Sequence, residues 1–130
     1  MTTVEDTFAE VAQLTVRPQF LFVRGGVSER RKSLVVQARR RRSSGEKSPV
    51  IGDGYTATKK VGNAVIRNRS RRRLKAAARE LLPALGVPGT DYVFIARMDT
   101  AEIGWQRLLD DMESALISLR AALEKGAGEA

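Results

Sequence analysis

The stretch GYTATKKVGNAVIRNRSRRRLKAAAREL, residues 54–81, decides the fold because a strand pattern passes directly into a helix pattern. Polar and apolar residues alternate over residues 54–59, which predicts a strand. Asn63 then supplies a helix cap, and the helix is predicted to end at Leu82, with Pro83 just beyond it. A strand followed at once by a long helix indicates a domain of mixed α and β structure.

The two sides of this predicted helix differ in chemistry when its residues are placed at about 100° per residue. One stripe is apolar or small and is predicted to pack on a sheet: Ile66, Ser70, Leu74, Ala77 and Leu81. The opposite stripe is Asn68, Arg72, Lys75 and Arg79, flanked by Arg67 and Arg71 on one side and by Arg69 and Arg73 on the other. No Asp or Glu occurs from Gly54 to Arg79. Because like charges one turn apart cost roughly 0.2–0.5 kcal/mol per pair, this face favours a polyanion as its partner.

Two alternative roles for the cationic face fit the sequence less well. A solvated surface helix usually mixes Glu with Lys, whereas acids are absent here. A helix that lies on a membrane needs large apolar residues on its buried side, where this helix has Ser70 and Ala77. Arginine binds a phosphate through two parallel hydrogen bonds and stacks on bases, so structured nucleic acid is the predicted ligand.

Composition narrows the possible functions of the chain. Its 130 residues suit one domain, and a net charge of +8 is typical of proteins that bind nucleic acid. There is no Cys or His, which excludes disulfides, Cys/His zinc sites and histidine general bases. The acidic N-terminus lacks the apolar segment of a signal peptide, and no apolar run approaches the roughly 20 residues that span a bilayer. We therefore expect a cytoplasmic protein.

The remaining sequence predicts two further strands and two further helices. A short helix starts near Pro18, buries Phe20 and Val23, and ends at the glycine pair 25–26. Strands are predicted over residues 33–38 and 91–96, and the second is apolar enough to be central in a sheet.

The last helix is predicted to begin near Asp99, which with Glu102 resembles a capping box. Its predicted buried stripe is Trp105, Leu108, Leu109, Met112, Leu116, Leu119 and Leu123. The predicted domain covers residues 14–124. Residues 1–13 are expected to be a weakly ordered extension with a helical turn or two at Phe8, Val11 and Ala12, and residues 125–130 a flexible tail.

Residues 54–74 closely resemble the signature of the bacterial ribonuclease P protein family. The family's RNR core is present as Arg67-Asn68-Arg69, and the preceding KKxGNA run is present as residues 59–64. The likeness extends more weakly from about Leu14 to Leu123, where residues 91–97 match the strand usually written DYVxIAR.

The resemblance implies an α/β (α+β) two-layer sandwich like domain 2 of ribosomal protein S5. Its mixed sheet would have four strands, and the Arg-rich helix would lie in a left-handed β-α-β crossover, against the usual hand. It also implies a function as the protein subunit of ribonuclease P, an endoribonuclease and hydrolase that removes the 5′ leader of precursor tRNA. Its partners would be the catalytic ribonuclease P RNA and precursor tRNA, with no membrane or small-molecule substrate. Mg²⁺ bound by the RNA would carry out hydrolysis, so we expect neither a catalytic side chain nor a metal held by the protein.

Two sets of binding residues follow from the resemblance. The RNA subunit would be bound by Asn63, Arg67, Asn68, Arg69, Arg71, Arg72, Arg73 and Lys75. The single-stranded leader would lie in a cleft between the first helix and the sheet, lined by Phe20, Gln37, Arg39, Thr56, Thr58, Lys59 and Lys60. Such a cleft needs a stacking ring and cations, although Phe20 is as well explained by a plain core role. Lys59 and Lys60 also precede a helix N-terminus, which favours a phosphate.

Two positions depart from the family pattern. Arg24 stands where the family often has a second aromatic residue, so leader contacts are expected to be more electrostatic. Asp53 stands where an aliphatic residue facing inward is expected. A buried lone carboxylate is costly, so Asp53 should either lie near the strand end in solvent or pair with a nearby arginine.

Two competing functions remain compatible with the sequence. A stand-alone RNA-binding or ribosome-associated protein would have a similar fold, and only the signature over residues 59–73 argues against it. A metal-dependent nuclease that acts by itself would need clustered carboxylates, whereas Asp91 is separated from Asp99 and Glu102 by a strand.

Overall fold

The computed structural model describes residues 10–41 and 49–129, so residues 1–9 of the predicted extension over residues 1–13 lie outside the described residues. The secondary-structure elements, in chain order, are strand β1 Val11–Gln13, helix α1 Arg17–Arg24, strands β2 Val27–Arg30, β3 Leu34–Arg40 and β4 Ile51–Thr56, a 3₁₀ turn Lys59–Val61, helix α2 Ala64–Leu85, strand β5 Thr90–Ala96 and helix α3 Trp105–Glu129. This is the mixed α and β composition that the sequence predicts.

One mixed sheet organises the molecule, with the strand order β1-β4-β5-β3-β2. Strand β4 runs parallel to both of its neighbours, β1 and β5, whereas β3 is antiparallel to β5 and to β2. Strand β5 is therefore central, as predicted, and β4–α2–β5 is a crossover between adjacent parallel strands. Within the described residues the sheet has five strands rather than the expected four. The left hand of the crossover stays a prediction.

Helices α2 and α3 cover one face of the sheet and enclose the main core. From α2 the core takes Ser70, Leu74 and Ala77, as predicted, and also Ala78 and Leu82. Helix α3 adds Leu108, Met112, Leu116, Leu119 and Leu123, and the sheet adds Leu34, Val36, Tyr92 and Phe94. The amphipathic pattern of α2 thus directs one side into the core and leaves most of its arginine side outward. Arg79, predicted on the outward stripe, instead turns to the buried Asp53.

The short helix α1 covers part of the opposite face of the sheet. Val23 is fully buried there against Leu14 and Val93. The helix lies close to β3 because Gly26 has no side chain: a Cβ at this position would collide with the carbonyl oxygen of Ala38. This placement confirms the predicted helix at Pro18 and its end at the glycine pair.

Two predictions about strands are corrected by the sheet. Val11 and Ala12 are not helical but lie in β1, where they pair with Ile51 and Gly52, so the sheet begins before residue 14. Strand β4 lies three residues earlier than predicted and ends at Thr56, which leaves Thr58 outside the strand. Short edge strands such as β1 and β2 give too few residues for an alternating pattern to show.

Three predictions about helix ends are also wrong. Pro83 lies inside α2, whose last residue is Leu85. The proline removes one helical hydrogen bond, but Leu82 and Leu85 on either side of it pack on the core and hold the last turn in place. Asp99 does not cap α3; its carbonyl accepts from the backbone N–H groups of Glu102 and Ile103 in a separate turn. The helix itself begins at Trp105 and continues to Glu129, through the predicted tail.

Asp53 lies in the middle of β4 and is completely buried. Its carboxylate accepts hydrogen bonds from Arg79, at 2.7 Å from Nε, and from the Tyr55 hydroxyl. The expected pairing with an arginine is confirmed, and the expected solvated position is wrong. Burial and the neighbouring Asp53 raise the pKa of Tyr55, so this hydroxyl stays a neutral donor. The hydrogen bond to Asp53 raises the pKa of Arg79.

We expect Arg79→Met to lower the free energy of unfolding by about 2–4 kcal/mol, because it leaves the buried Asp53 carboxylate without its cation. The triple variant Asp53→Val/Tyr55→Phe/Arg79→Met removes the three polar partners together and should unfold within about 1 kcal/mol of the wild type. Urea unfolding measures both. If the triple variant is no more stable than Arg79→Met, the loss does not come from the unpaired Asp53 carboxylate, and the expectation is contradicted.

Candidate RNA interface

The start of α2 is set by Asn63, whose side-chain oxygen accepts from the N–H of Ile66 at 2.9 Å. This hydrogen bond caps the helix, and the Asn63 carbonyl also accepts from the N–H of Arg67. The Arg67 guanidinium donates to the carbonyl of Gly62, which precedes the cap. Asn63 therefore has a structural role in addition to any contact with RNA, and the first arginine of the RNR core is held against the helix start.

The remaining predicted residues of α2 lie on its outer side. Asn68, Arg72 and Lys75 are exposed, and Asn68 accepts a hydrogen bond from Arg71. Lys75 reaches the side chain of Gln13 in β1 at 3.0 Å. We call this surface the arginine face: Arg67, Asn68, Arg69, Arg71, Arg72, Arg73 and Lys75.

Among the described residues no carboxylate forms an ion pair with the arginine face, although Glu102 offsets part of the charge at Arg73. Arg69 and Arg73 donate to the backbone carbonyls of Ala101 and Thr100, at 2.7 and 2.6 Å. Arg72 makes no hydrogen bond or ion pair with any described residue, and Arg79, outside the face, is the α2 cation that pairs with a carboxylate there. Burial and the nearby Arg69 lower the pKa of Arg73. Carbonyl acceptors carry no net charge, so the electrostatic potential over the arginine face stays strongly positive.

A groove of about 330 Å³ separates α1 from the end of β4. It is lined by Arg17, Phe20, Leu21, Arg24, Tyr55 and Thr56. Phe20 is half-buried and packs on the backbone of Gly54, so it serves the core of α1 and also forms a wall of the groove. Arg17 was not predicted as a site residue, and Arg24 entered the prediction only as a departure from the family pattern that makes leader contacts more electrostatic. Their spacing of seven, with Phe20 and Leu21 between them, is that of one helix face and could have indicated them.

The other predicted leader residues do not share one groove. Gln37 and Arg39 lie on one face of β3, as predicted, and Arg39 donates to the carbonyl of Phe22 at 3.0 Å. Its guanidinium also lies 4.4 Å from the Phe22 ring centre, which ties it to α1. Thr58 and Thr56 do not line the same cavity, because the strand has ended between them.

A second cleft, of about 520 Å³, lies where β4 and β5 end. Thr58 and Lys60 line it together with Lys32, Val61, Ala96, Arg97, Met98 and Asp99. Lys59 is exposed in the 3₁₀ turn beside it. The predicted leader set is therefore divided between the groove beside α1, the outer face of β3 and this second cleft.

The buried acidic residues have partners within the protein. Asp53 pairs with Arg79, and Asp91 pairs with Arg41. Among residues 10–41 and 49–129, no group of three or more Asp or Glu side chains lies together so that it could hold a metal ion. Across the same residues, no helix is long and apolar enough to cross a membrane.

Comparison with known proteins gives the family directly. The family model described as Ribonuclease P matches residues 8–120. The chain belongs to the ribonuclease P protein family. A ribonuclease P protein component from Caulobacter vibrioides is 46% identical over 114 residues, which are 88% of this chain and 74% of that protein. One from Ruegeria pomeroyi is 46% identical over 112 residues, 85% of this chain and 88% of that protein.

Solved structures of ribonuclease P proteins share the fold. The protein from Thermotoga maritima superposes with a TM-score of 0.66 at 21% identity, over 82% of this chain and 96% of that one. A Staphylococcus aureus ribonuclease P protein mutant with defective mRNA degradation activity superposes with a TM-score of 0.68 at 19% identity, over 83% of this chain and 87% of that one. Membership of the ribonuclease P protein family makes the chain part of a ribonucleoprotein nuclease of tRNA processing.

We expect Gly54→Ala to push Phe20 out of the groove beside α1, because the added Cβ would lie 2.5 Å from a Phe20 ring carbon. The free energy of unfolding in urea should fall by about 1–3 kcal/mol. Gly104→Ala is the matched control, since a Cβ there meets nothing within 4 Å, and it should cost less than about 1 kcal/mol. Equal losses in the two variants would argue against close packing of Phe20 on β4.

Proposed function

We propose that the chain binds the ribonuclease P RNA through the arginine face of α2 and binds the 5′ leader of precursor tRNA beside α1. In the assembled enzyme this enables endonucleolytic maturation of tRNA 5′ ends. The observation that carries the proposal is the arginine face itself, a helix surface whose cations have carbonyl, amide or solvent partners and form no ion pair with a carboxylate among the described residues, although the charge of Glu102 acts on Arg73 at longer range.

The geometry of arginine favours RNA as the ligand of this face. A guanidinium carries five N–H donors, so the hydrogen bonds that Arg69 and Arg73 make to carbonyls leave donors for phosphates. Arg72 makes no hydrogen bond within the described residues, so all the N–H donors of its guanidinium can bind a phosphate. Asn63 contributes mainly by capping the helix and so fixes where the face begins.

The groove beside α1 suits a single RNA strand. It offers the Phe20 ring for base stacking and the Arg17 and Arg24 guanidiniums for the backbone, the two elements that single-strand binding requires. Gln37 and Arg39 extend the polar surface across β3, and Thr56 lines the groove. The RNA strand would continue from the groove past Thr58, Lys59 and Lys60 to the second cleft.

The division of labour in the enzyme follows from the residues that the sequence contains. Without His or Cys, the chain lacks the side chains most used for acid–base and nucleophilic catalysis. Mg²⁺ bound by the RNA would activate water for phosphodiester hydrolysis. The protein would supply affinity for the substrate and orient the leader, in the cytoplasm where tRNA is processed.

We expect Arg72→Gln to weaken binding to the ribonuclease P RNA and to lower the slope of log K against log salt by about 1, because one phosphate contact is lost. Arg30→Gln is the control: it makes the same charge change at the exposed edge strand β2, at the opposite edge of the sheet from β1 and β4. Filter binding across a salt series measures both. If the two variants behave alike, RNA is held by net charge and not by the arginine face. A chain that prefers ribosomal RNA would instead support a stand-alone RNA-binding role.

We expect Arg24→Gln, assembled with the RNA subunit, to weaken binding of precursor tRNA by about threefold to tenfold and to leave mature tRNA binding unchanged, because only the precursor has a leader. Arg24→Phe restores the ring common in the family; it should keep precursor affinity and reduce its salt dependence. Equal losses for precursor and mature tRNA would place Arg24 outside the leader path.

A further inference from the structure

The single tryptophan of the chain lies at the edge of the arginine face. Trp105 is the first residue of α3, and 38% of it is exposed, although its position in the apolar stripe of that helix predicts burial. The guanidinium carbon of Arg73 lies 5.9 Å from the centre of the Trp105 ring, within the range of a cation–π contact. The largest aromatic side chain of the protein is thus partly in solvent and beside the cations of α2.

The turn that leads into Trp105 is held from two sides. Thr100 Oγ1 donates to the carbonyl of Ser33 at 2.6 Å and accepts from the N–H of Arg97 at 2.7 Å. From α2, Arg69 and Arg73 donate to the carbonyls of Ala101 and Thr100. These hydrogen bonds fix the position of the turn, and with it the start of α3, relative to the arginine face.

From this placement we infer that Trp105 stacks on an unpaired base of the ribonuclease P RNA, which extends the RNA interface from α2 onto α3. The inference rests on the proposed function of the arginine face. Sequence-tolerant recognition of unpaired RNA combines a ring for a base with cations for the flanking phosphates. Trp105 supplies the ring, Arg73 supplies a cation beside it, and Arg72, the residue before Arg73, adds a cation on the arginine face of α2. Arg69 and Arg73 also act as positioning residues, because they hold the turn that precedes the ring.

The charge around Trp105 favours a nucleic acid over an apolar protein partner. Arg73 lies beside it on the α2 side, with Arg69 one turn away along α2, whereas Arg107 in the first turn of α3 is paired with Asp111 at 3.1 Å. Arginine and aromatic residues are also enriched in protein interfaces, so the feature that favours a nucleic acid is the run of like-charged guanidiniums on α2, which a phosphate backbone can match along its length. A nucleic acid can stack a base on the Trp105 ring and place its phosphates beside the arginines at the same time.

The first experiment needs no substitution, because Trp105 is the only tryptophan. Its fluorescence is recorded while the wild-type chain is titrated with the ribonuclease P RNA, and acrylamide quenching is measured before and after saturation. Stacking on a base should quench the emission at least twofold and protect the ring from acrylamide. Complex formation is followed independently by filter binding. Unchanged emission and unchanged acrylamide access in a saturated complex would overturn the inference.

The second experiment tests the contribution of the ring to affinity. Trp105→Leu should weaken binding of the RNA about tenfold, the order expected for one stacked base, whereas Trp105→Phe should stay within about threefold of the wild type. Ile117→Ala, an exposed apolar position of α3 three turns further on, is the matched control and should bind normally. Circular dichroism melting verifies that each variant is folded. Wild-type affinity in Trp105→Leu would overturn the inference.

The outcomes separate this inference from the proposed function. Suppose the RNA binds with the predicted salt dependence and Arg72→Gln weakens the binding, but the fluorescence and acrylamide access of Trp105 do not change. The role of the arginine face is then supported and the stacking contact is excluded. If the wild-type chain does not bind the RNA, both the proposed function and the stacking of Trp105 are excluded. Quenching by precursor tRNA alone, with none from the RNA subunit, would assign the ring to the substrate and overturn the inference as stated.

Discussion

The packing of α2 on the sheet is the constraint on which the rest of the structure depends. The helix carries seven cations and can be held in place only because Leu74, Ala77 and Leu82 are buried against the sheet and α3. Burial of apolar area stabilises at roughly 25 cal/mol per Å², which outweighs repulsions of a few tenths of a kcal/mol per pair on the outer side. The crossover between β4 and β5 then fixes the direction in which the cations face.

Most of the fold follows from patterns long enough to be recognised in the sequence. The central strand β5, the two long helices and the buried stripe of α2 each extend over several periods of alternation or of helical spacing. Strands β1 and β2 have three and four residues, and no pattern distinguishes them from loops. The ends of α2 and α3 were misplaced because Pro83 and the pair Asp99 and Glu102 have local preferences that the tertiary structure overrides.

The candidate site was predictable where one helix determines it and not where several elements meet. The arginine face needs only the spacing along α2. The leader residues needed the relative placement of α1, β3, β4 and the 3₁₀ turn, which spacing along the chain does not give. Asp53 illustrates the same limit: its pairing with an arginine was one of two expectations, and the choice depended on whether β4 begins before residue 53.

The hydrogen bonds from Arg67, Arg69 and Arg73 to backbone carbonyls have a thermodynamic consequence for complex formation. Immobilising a long, flexible side chain at an interface costs about 0.5–1.5 kcal/mol in rotamer entropy. In this protein that ordering takes place when the chain folds, with neutral acceptors that leave the charge intact. The three guanidiniums are therefore preorganised, and more of their attraction for phosphate is retained as affinity.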